Sequence, residues 1–282
     1  MTEMTFGYRR DPLVGRDEQG NDFNWVEKDN DFTTQLKPKL TLSEAGDVDL
    51  RSYTTETNQY GLFACAGNAT ADSIEVLDDI AEKDLAALES RAPNPPTQVS
   101  RLFVYTMARG MMDEDGDGQG DINKDTGTYI RLCFEVLSRF GVCDETIWPY
   151  DESKVYTSPS IKALRQAVGH RIHSYYRIKE LGEDRLAAMV AALRAKHPVV
   201  FGTLVDQSFM DPSGPAIVGP PTGATVGGHA MLCVGYINGN FLVKNSWGKG
   251  WRDNGFVLFS PEYMMWASTW DLWVPTLGTN FK

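Results

Sequence analysis

The chain has no run of about 18 apolar residues, the length a membrane-spanning helix requires, and its opening MTEMTFGYRRDPLVG lacks the apolar block of a secretory signal. It therefore reads as a soluble, unexported protein with no membrane partner. Basic residues are outnumbered: 27 Lys and Arg against 38 Asp and Glu give a formal charge of −11. That balance excludes the electrostatic footprint of a nucleic-acid or anionic-lipid binder. Cysteines are few for 282 residues, namely Cys65, Cys133, Cys143 and Cys233, so a disulfide scaffold is not indicated and a reduced compartment is expected. A Cys133–Cys143 bridge is the one pairing left open. Histidine is as scarce, with His170, His173, His197 and His229.

The length suffices for one large core or two smaller ones. Residues 1–48 are polar and rich in Gly, Asp and Asn without a sustained apolar period, and read as an extended arm. From Asn68 to about Ser90, Ile74, Leu77, Ala81, Leu85 and Leu88 recur at the spacing of an amphipathic helix or two abutting ones. Ala92-Pro93-Asn94-Pro95-Pro96 ends that pattern, because proline lacks an N–H and disfavours helix in the residue before it. Helical spacing returns over 129–140, with Ile130, Phe134 and Leu137 on one face, and over 186–196. The later runs are short and β-branched or aromatic: PVVFGTLV (198–205), HAMLCVGYI (229–237), NFLVKNSW (240–247) and NGFVLFS (254–260). Helix-rich first and strand-rich last predicts an α+β protein whose halves meet at a cleft. The expected boundaries are an N-terminal extension or leader over 1–48, which either occupies the cleft until removed or straps the surface permanently, a helical lobe over 49–170 and a β-rich lobe over 171–282.

A thiol attacks a carbonyl only as thiolate, so a nucleophilic cysteine needs an imidazole or a helix N-terminus beside it. Cys65 lies just before the first predicted helix. Among the histidines, His229 is set apart: it follows Gly227-Gly228, which admits close backbone approach, and it opens a strand. The other three sit near charged or helix-terminal residues and read as solvated surface. Asn238-Gly239 is a hairpin signal that pairs the strand after His229 with the one ending at Asn245. A plain two-residue turn would make residue 232 the partner of 245 and put His229 and Asn245 on opposite faces. An odd-length loop or a β-bulge is therefore predicted, so that the amide can hold one ring nitrogen and leave the other for the sulfur.

NQYGLFACAGNATADSIE around Cys65, GGHAMLCVGY around His229 and VKNSWGKGWRDNGF around Asn245 resemble the three active-site segments of papain-like cysteine peptidases, closest to the bacterial and viral branch. FGYRRDPL near the start resembles the short leaders found there. The resemblance runs from about Val48 to Trp273. It implies a two-lobed fold, with a helical N-terminal lobe and a β-barrel-like C-terminal lobe across a cleft. It also implies peptide-bond hydrolysis of polypeptide substrates without a required cofactor. Cys65 would be nucleophile, His229 base and then acid, Asn245 its orienter, Gln59 the oxyanion amide, and Trp247 a shield over the His–Asn bond. Better-known members carry Cys-Gly-Ser before the nucleophile and an aromatic after it; here Gly61-Leu62-Phe63-Ala64 precedes Cys65 and Ala66 follows.

The chain is expected to be cytoplasmic or virion-associated. Two rival readings are a papain-like module with a blocked site inside a larger, viral assembly, and a cell-wall amidase. The run from Asp113 to Asn123 concentrates hard oxygen ligands, with Asp113, Asp115, Asp117 and Asp121 as candidates for a structural calcium. Neither register supplies the closing Glu, since Thr126 or Lys124 falls at the twelfth place. A solvated acidic loop is the competing reading.

Overall fold

The computed structural model describes residues 6–12, 14–16, 22–24, 29–32, 46–113, 116–117 and 119–277. The long helix α1, Cys65–Leu88, is a single element where two abutting helices were the alternative. Its first half is buried on every side and is therefore built of small residues, Ala66, Gly67, Ala69 and Ala71, that let neighbours approach. A Cβ on Gly67 would stand 2.8 Å from that of Tyr105 in α2, Arg101–Gly110. The helix stops at Ser90, whose φ of 53° leaves the helical region, ahead of the proline segment. Helix α2 starts at Ser100, whose hydroxyl accepts the Phe103 N–H at 3.1 Å, an N-cap worth about 1 kcal/mol. Helices α3, Ile130–Arg139, and α4, Ile161–Ala167, complete the helical part.

The strands β4 (Val48–Asp49), β6 (Ser174–Arg177), β7 (Val199–Asp206), β8 (Ile217–Val218), β9 (Thr225–Ile237), β10 (Asn240–Lys244), β11 (Phe256–Phe259) and β12 (Thr269–Thr276) form one sheet in the order β6-β12-β7-β9-β10-β11-β8, with β4 also on β9. Among the described residues its path ends at β6 and β8, so the β-rich part is an open sheet and not a closed barrel. Helices α5, Gly182–Arg194, and α6, Pro261–Met265, pack on it. The chain is thus α+β, helices first and sheet last, as its patterning predicts.

The β9–β10 hairpin settles the register question. Asn238 and Gly239, with φ of 48° and 79°, make the two-residue turn, and Asn240 pairs with Ile237. Between Leu242↔Gly235 and Val243↔Cys233 the ladder then skips Val234. That bulge brings Lys244 opposite Leu232, which puts Asn245 on the face that carries His229.

Two contacts in particular tie helices to sheet. Phe134 of α3 stacks on Tyr175 of β6 at 5.6 Å, and both rings meet Trp273 of β12. Lys244 of β10 forms a buried ion pair with Asp72 of α1 and reaches Thr57 Oγ1 at 2.5 Å. An ion pair so far from water needs each partner to justify the other's desolvation.

The N-terminal arm also makes structure. Strand β1, Tyr8–Arg9, runs parallel to β5, Thr128–Tyr129, and β2, Val14–Arg16, pairs with β3, Asp22–Asn24. No described helix is long and apolar enough to cross a membrane. All four cysteines are free and buried, so the Cys133–Cys143 bridge left open by the sequence does not form.

Candidate active site

Cys65 is the first residue of α1, whose first turn holds no carboxylate to spend its positive end. The N–H groups of Cys65 and Ala66 point toward the sulfur. His229 stands in β9 opposite Thr203 of β7. The next residue, Ala230, directs its N–H at the Cys65 Sγ from 3.5 Å, so the strand bearing the imidazole abuts the helix bearing the thiol. His229 Nε2 lies 2.8 Å from Asn245 Oδ1, and Nδ1 has no hydrogen-bond partner among the described residues. With Nε2 donating to the amide oxygen, Nδ1 presents its lone pair. Trp247 stacks on the ring at 4.7 Å and 27°, covering the bond to Asn245.

Gln59 is fully buried and knitted to the Asn245 segment: its N–H donates to Ser246 O at 2.8 Å, and its Oε1 accepts the Ser246 hydroxyl at 2.6 Å. Its Nε2 donates to Leu62 O at 2.9 Å, on the loop that leads into Cys65. Ser246 was not singled out in the sequence, although its place between Asn245 and Trp247 was the available signal.

The N-terminal arm lies above these residues. Phe6 meets the His229 ring edge-on at 5.8 Å and Trp247 at 5.9 Å. Gly7 directs its N–H toward the Cys65 sulfur, while its carbonyl accepts the Thr128 N–H at 3.0 Å. Only glycine fits there, since a Cβ would fall 1.6 Å from Phe63 O. Tyr8 sends its hydroxyl to Asp271, and the Asp11 N–H reaches the same carboxylate at 2.7 Å. Cys65 and His229 are consequently 0% exposed.

Burial sets the charge state. Desolvation pushes the Cys65 thiol up to about 11, despite the N–H groups of Ala230, Gly7 and Ala66 around it. It pushes His229 down to about 4, with the bond to Asn245 acting the other way. The covered pair is a neutral thiol and a neutral imidazole.

Around the arm lies a buried charge cluster. Asp11 accepts from Trp273 Nε1 at 3.2 Å and from Arg177 at 3.2 Å, and Arg177 also pairs with Asp271. Arg131 and Arg177 both meet Asp29. Desolvation and then the neighbouring Asp271 raise the Asp11 carboxyl to about 7, against the pull of Arg131 and Arg177.

The remaining candidates fall elsewhere. Asp115 lies outside the described residues. Asp117 caps the Gln119 N–H at 2.8 Å, and Asp121 pairs with Lys124 at 2.8 Å. Among the described residues no three His, Cys, Asp or Glu side chains come together as a metal site. His173 is exposed as expected, but His170 is half-buried against Asp78 at 2.9 Å, and His197 is half-buried on Pro275 O at 3.1 Å. The solvated reading of these last two is corrected by the packing of α4 and β12 nearby.

A cysteine at the start of a buried helix, set against a histidine strand backed by an asparagine, is the architecture of papain-like thiol peptidases. The model of the papain family of cysteine proteases matches residues 119–266. An uncharacterised peptidase C1-like protein of Acanthamoeba polyphaga mimivirus is 31% identical, over 92% of this chain and 82% of its own length. The chain belongs to the papain family and is a cysteine peptidase, a hydrolase. Its fold resembles that of xylellain, a cysteine protease from Xylella fastidiosa, with a TM-score of 0.75 and 25% identity over 97% of this chain and 96% of that one. The bromelain protease of Ananas comosus has the same fold at a TM-score of 0.59 and 23% identity, over 82% of this chain and 99% of its own.

Proposed function

We propose that the protein is an endopeptidase working through Cys65, His229 and Asn245, and that residues 6–11 hold it in a latent form until they leave the site. The Cys65 sulfur gives its proton to His229 Nδ1 and bonds to the scissile carbonyl carbon. The oxyanion rests on the Cys65 N–H and the Gln59 side-chain amide; loss of one such donor costs about 2.7–4 kcal/mol. His229 returns the proton to the leaving nitrogen as the C–N bond breaks, and a water deprotonated by His229 then splits the thioester. Asn245 keeps the ring in the tautomer the first transfer needs. Ser246 and Trp247 act through others: the hydroxyl fixes the Gln59 amide and the indole shields the His–Asn bond.

The observation that carries this reading is the 2.8 Å bond from His229 Nε2 to Asn245 Oδ1, on a strand whose next N–H lies against the Cys65 sulfur. Latency is supported by Gly7 at the sulfur and by the neutral state that burial imposes. Digestion of a peptide library under reducing conditions, by wild type and by Cys65→Ala, tests the chemistry. Cleavage persisting in the variant would overturn it. The 0% exposure of Cys65 also favours a second reading, a permanently blocked binding module. A thiol-reactive epoxide that never labels Cys65, even after the arm is cut away, would select that reading.

A further inference from the structure

The pocket that Tyr8 fills is built for a phenol. Its walls are Gly202 of β7 and Gly228 of β9: a Cβ on Gly202 would lie 2.0 Å from the Tyr8 ring, and one on Gly228 would lie 3.1 Å from it. Its floor is Asp271, 2% exposed. The β12–β7 ladder breaks between Trp270 and Trp273, and Asp271 takes a φ of 52° inside that break. A non-glycine residue in this region is strained, and bulges beside active sites serve to re-aim a side chain. Here the strained turn aims a carboxylate to the place where the Tyr8 hydroxyl arrives.

The two oxygens of that carboxylate have different partners. Oδ1 is held by Arg177 of β6, a contact wholly within the sheet. Oδ2 accepts from the Tyr8 hydroxyl and the Asp11 N–H, both of which belong to the arm. Once the arm leaves, a buried oxygen loses both donors, and a buried acceptor without a donor is costly. A new occupant must therefore bring one. A lysine or arginine would bring donors with a charge that faces Arg177. Phenylalanine would fill the volume and leave Oδ2 bare. Tyrosine brings a flat ring to the glycine walls and a neutral O–H to the floor; burial keeps the phenol of Tyr8 itself well above its usual titration range.

We propose that Asp271, Gly202 and Gly228 form a specificity pocket that selects a tyrosine side chain of the substrate, placed within two residues of the scissile bond. The position follows from Gly7, the immediate neighbour of Tyr8, standing at the Cys65 sulfur. This deepens the peptidase reading and rests on it. A site built to bond a hydroxyl discriminates strongly against the analogue that lacks it, because its own polar atom is stranded. Preference for tyrosine over phenylalanine should be roughly 10- to 100-fold, the range of a hydrogen bond to a charged group.

The test uses the full chain carrying Phe6→Ala, Tyr8→Ala and Asp11→Ala, which empties the pocket without deleting a segment. Calorimetric titration of this chain with Cys65→Ala added, using the peptide FGYRRDPL and the same peptide bearing phenylalanine for tyrosine, reads the pocket without turnover. The tyrosine peptide is expected to bind roughly 10- to 100-fold more tightly. The added substitution Gly202→Ala, at a site of ordinary backbone geometry, should abolish binding of both with the melting temperature held. Equal affinities, or binding by neither peptide, overturn the pocket. Digestion of a tyrosine-containing library by the triple variant with Cys65 intact reads the peptidase separately. Tight tyrosine binding with no cleavage would sink the catalytic reading and leave the pocket standing, whereas cleavage indifferent to tyrosine would do the reverse.

Discussion

Replacing Gly7 by alanine should switch the full-length protein on without cutting it. The new Cβ would fall 1.6 Å from Phe63 O, 2.1 Å from its carbonyl carbon and 2.6 Å from its Cα. All three are backbone atoms of the loop that enters α1. Retreat to the other side is blocked as well, since a Cβ on Gly127 would stand 1.9 Å from the Gly7 carbonyl oxygen, which shows how closely that strand lies. The arm must move away by more than an ångström, giving up the Thr128 N–H bond and part of the burial of Phe6 and Tyr8. One or two hydrogen bonds at about 0.5–1.5 kcal/mol each, with a share of the roughly 1.5–3 kcal/mol for burying an aromatic side chain, total about 3 kcal/mol. At about 1.4 kcal/mol per decade, the open fraction rises roughly 150-fold. The assay is the rate of Cys65 alkylation at neutral pH and the hydrolysis of a peptide substrate, with intact mass showing that the chain is uncleaved. Gly46→Ala is the control, because nothing lies within 4 Å of its added methyl. Unchanged alkylation in Gly7→Ala, with an unchanged melting temperature, would refute the claim that the arm is what silences the thiol.

The arm should also let go as pH rises. Docked, Asp11 titrates near 7, whereas in water an aspartate titrates near 3.9, so the docked form holds the extra proton. Its stabilising contribution is complete below about 4 and is lost as pH climbs through 7; alkylation of wild type, divided by that of Asp11→Asn, should rise at least tenfold across this window, and a flat ratio would contradict it. Asn245→Ala should lower kcat/KM of the opened enzyme about 100-fold or more by freeing the ring of His229, with the melting temperature nearly unchanged; an equal loss in Ser246→Ala and none in Asn245→Ala would reverse the assignments. Lys244→Met strands Asp72 in the core and should cost about 3–5 kcal/mol of stability, while pairing it with Asp72→Leu should recover most of that. Thermal unfolding of the three chains decides it.

How much of this could be read from residues alone follows the range of the interactions involved. Cys65, His229 and Asn245 were legible because each sits in a local signal: a residue before a helical period, a strand opening after two glycines, and a hairpin turn. The need for an odd-length loop or a bulge was legible from the parity of the hairpin, but the choice of a bulge and its place at Val234 were not. Helix α2 was passed over, although Ser100 ahead of Leu102, Phe103 and Val104 carried an N-cap signal. Asp271 was invisible, because its importance depends on a positive φ within an apolar run that reads as a plain strand. A leader in the cleft and a strap over the surface both stayed open for the arm, because Gly7 is fitted to Phe63 and Gly127, residues far away in sequence.

The arm and the pocket explain one another. A thiol at about 11 and an imidazole at about 4 are the wrong charge states for a nucleophilic pair, and in an open cleft they would be a puzzle. Both shifts have desolvation as their leading cause, and the water has been excluded by Phe6, Gly7 and Tyr8. Withdrawing those three residues rehydrates the site and relaxes both groups toward the range in which a proton can pass from sulfur to nitrogen. The same departure uncovers Asp271 Oδ2. Latency and selectivity thus draw on a single contact, the Tyr8 hydroxyl on a strained carboxylate. A substitution that weakens that contact must open the enzyme and blunt its choice of substrate together. For that reason Asp271→Ala should raise alkylation of Cys65 in the full-length chain while lowering the tyrosine-to-phenylalanine ratio in cleaved peptides toward unity. A variant that moves one of these and not the other would show that the two functions are separate.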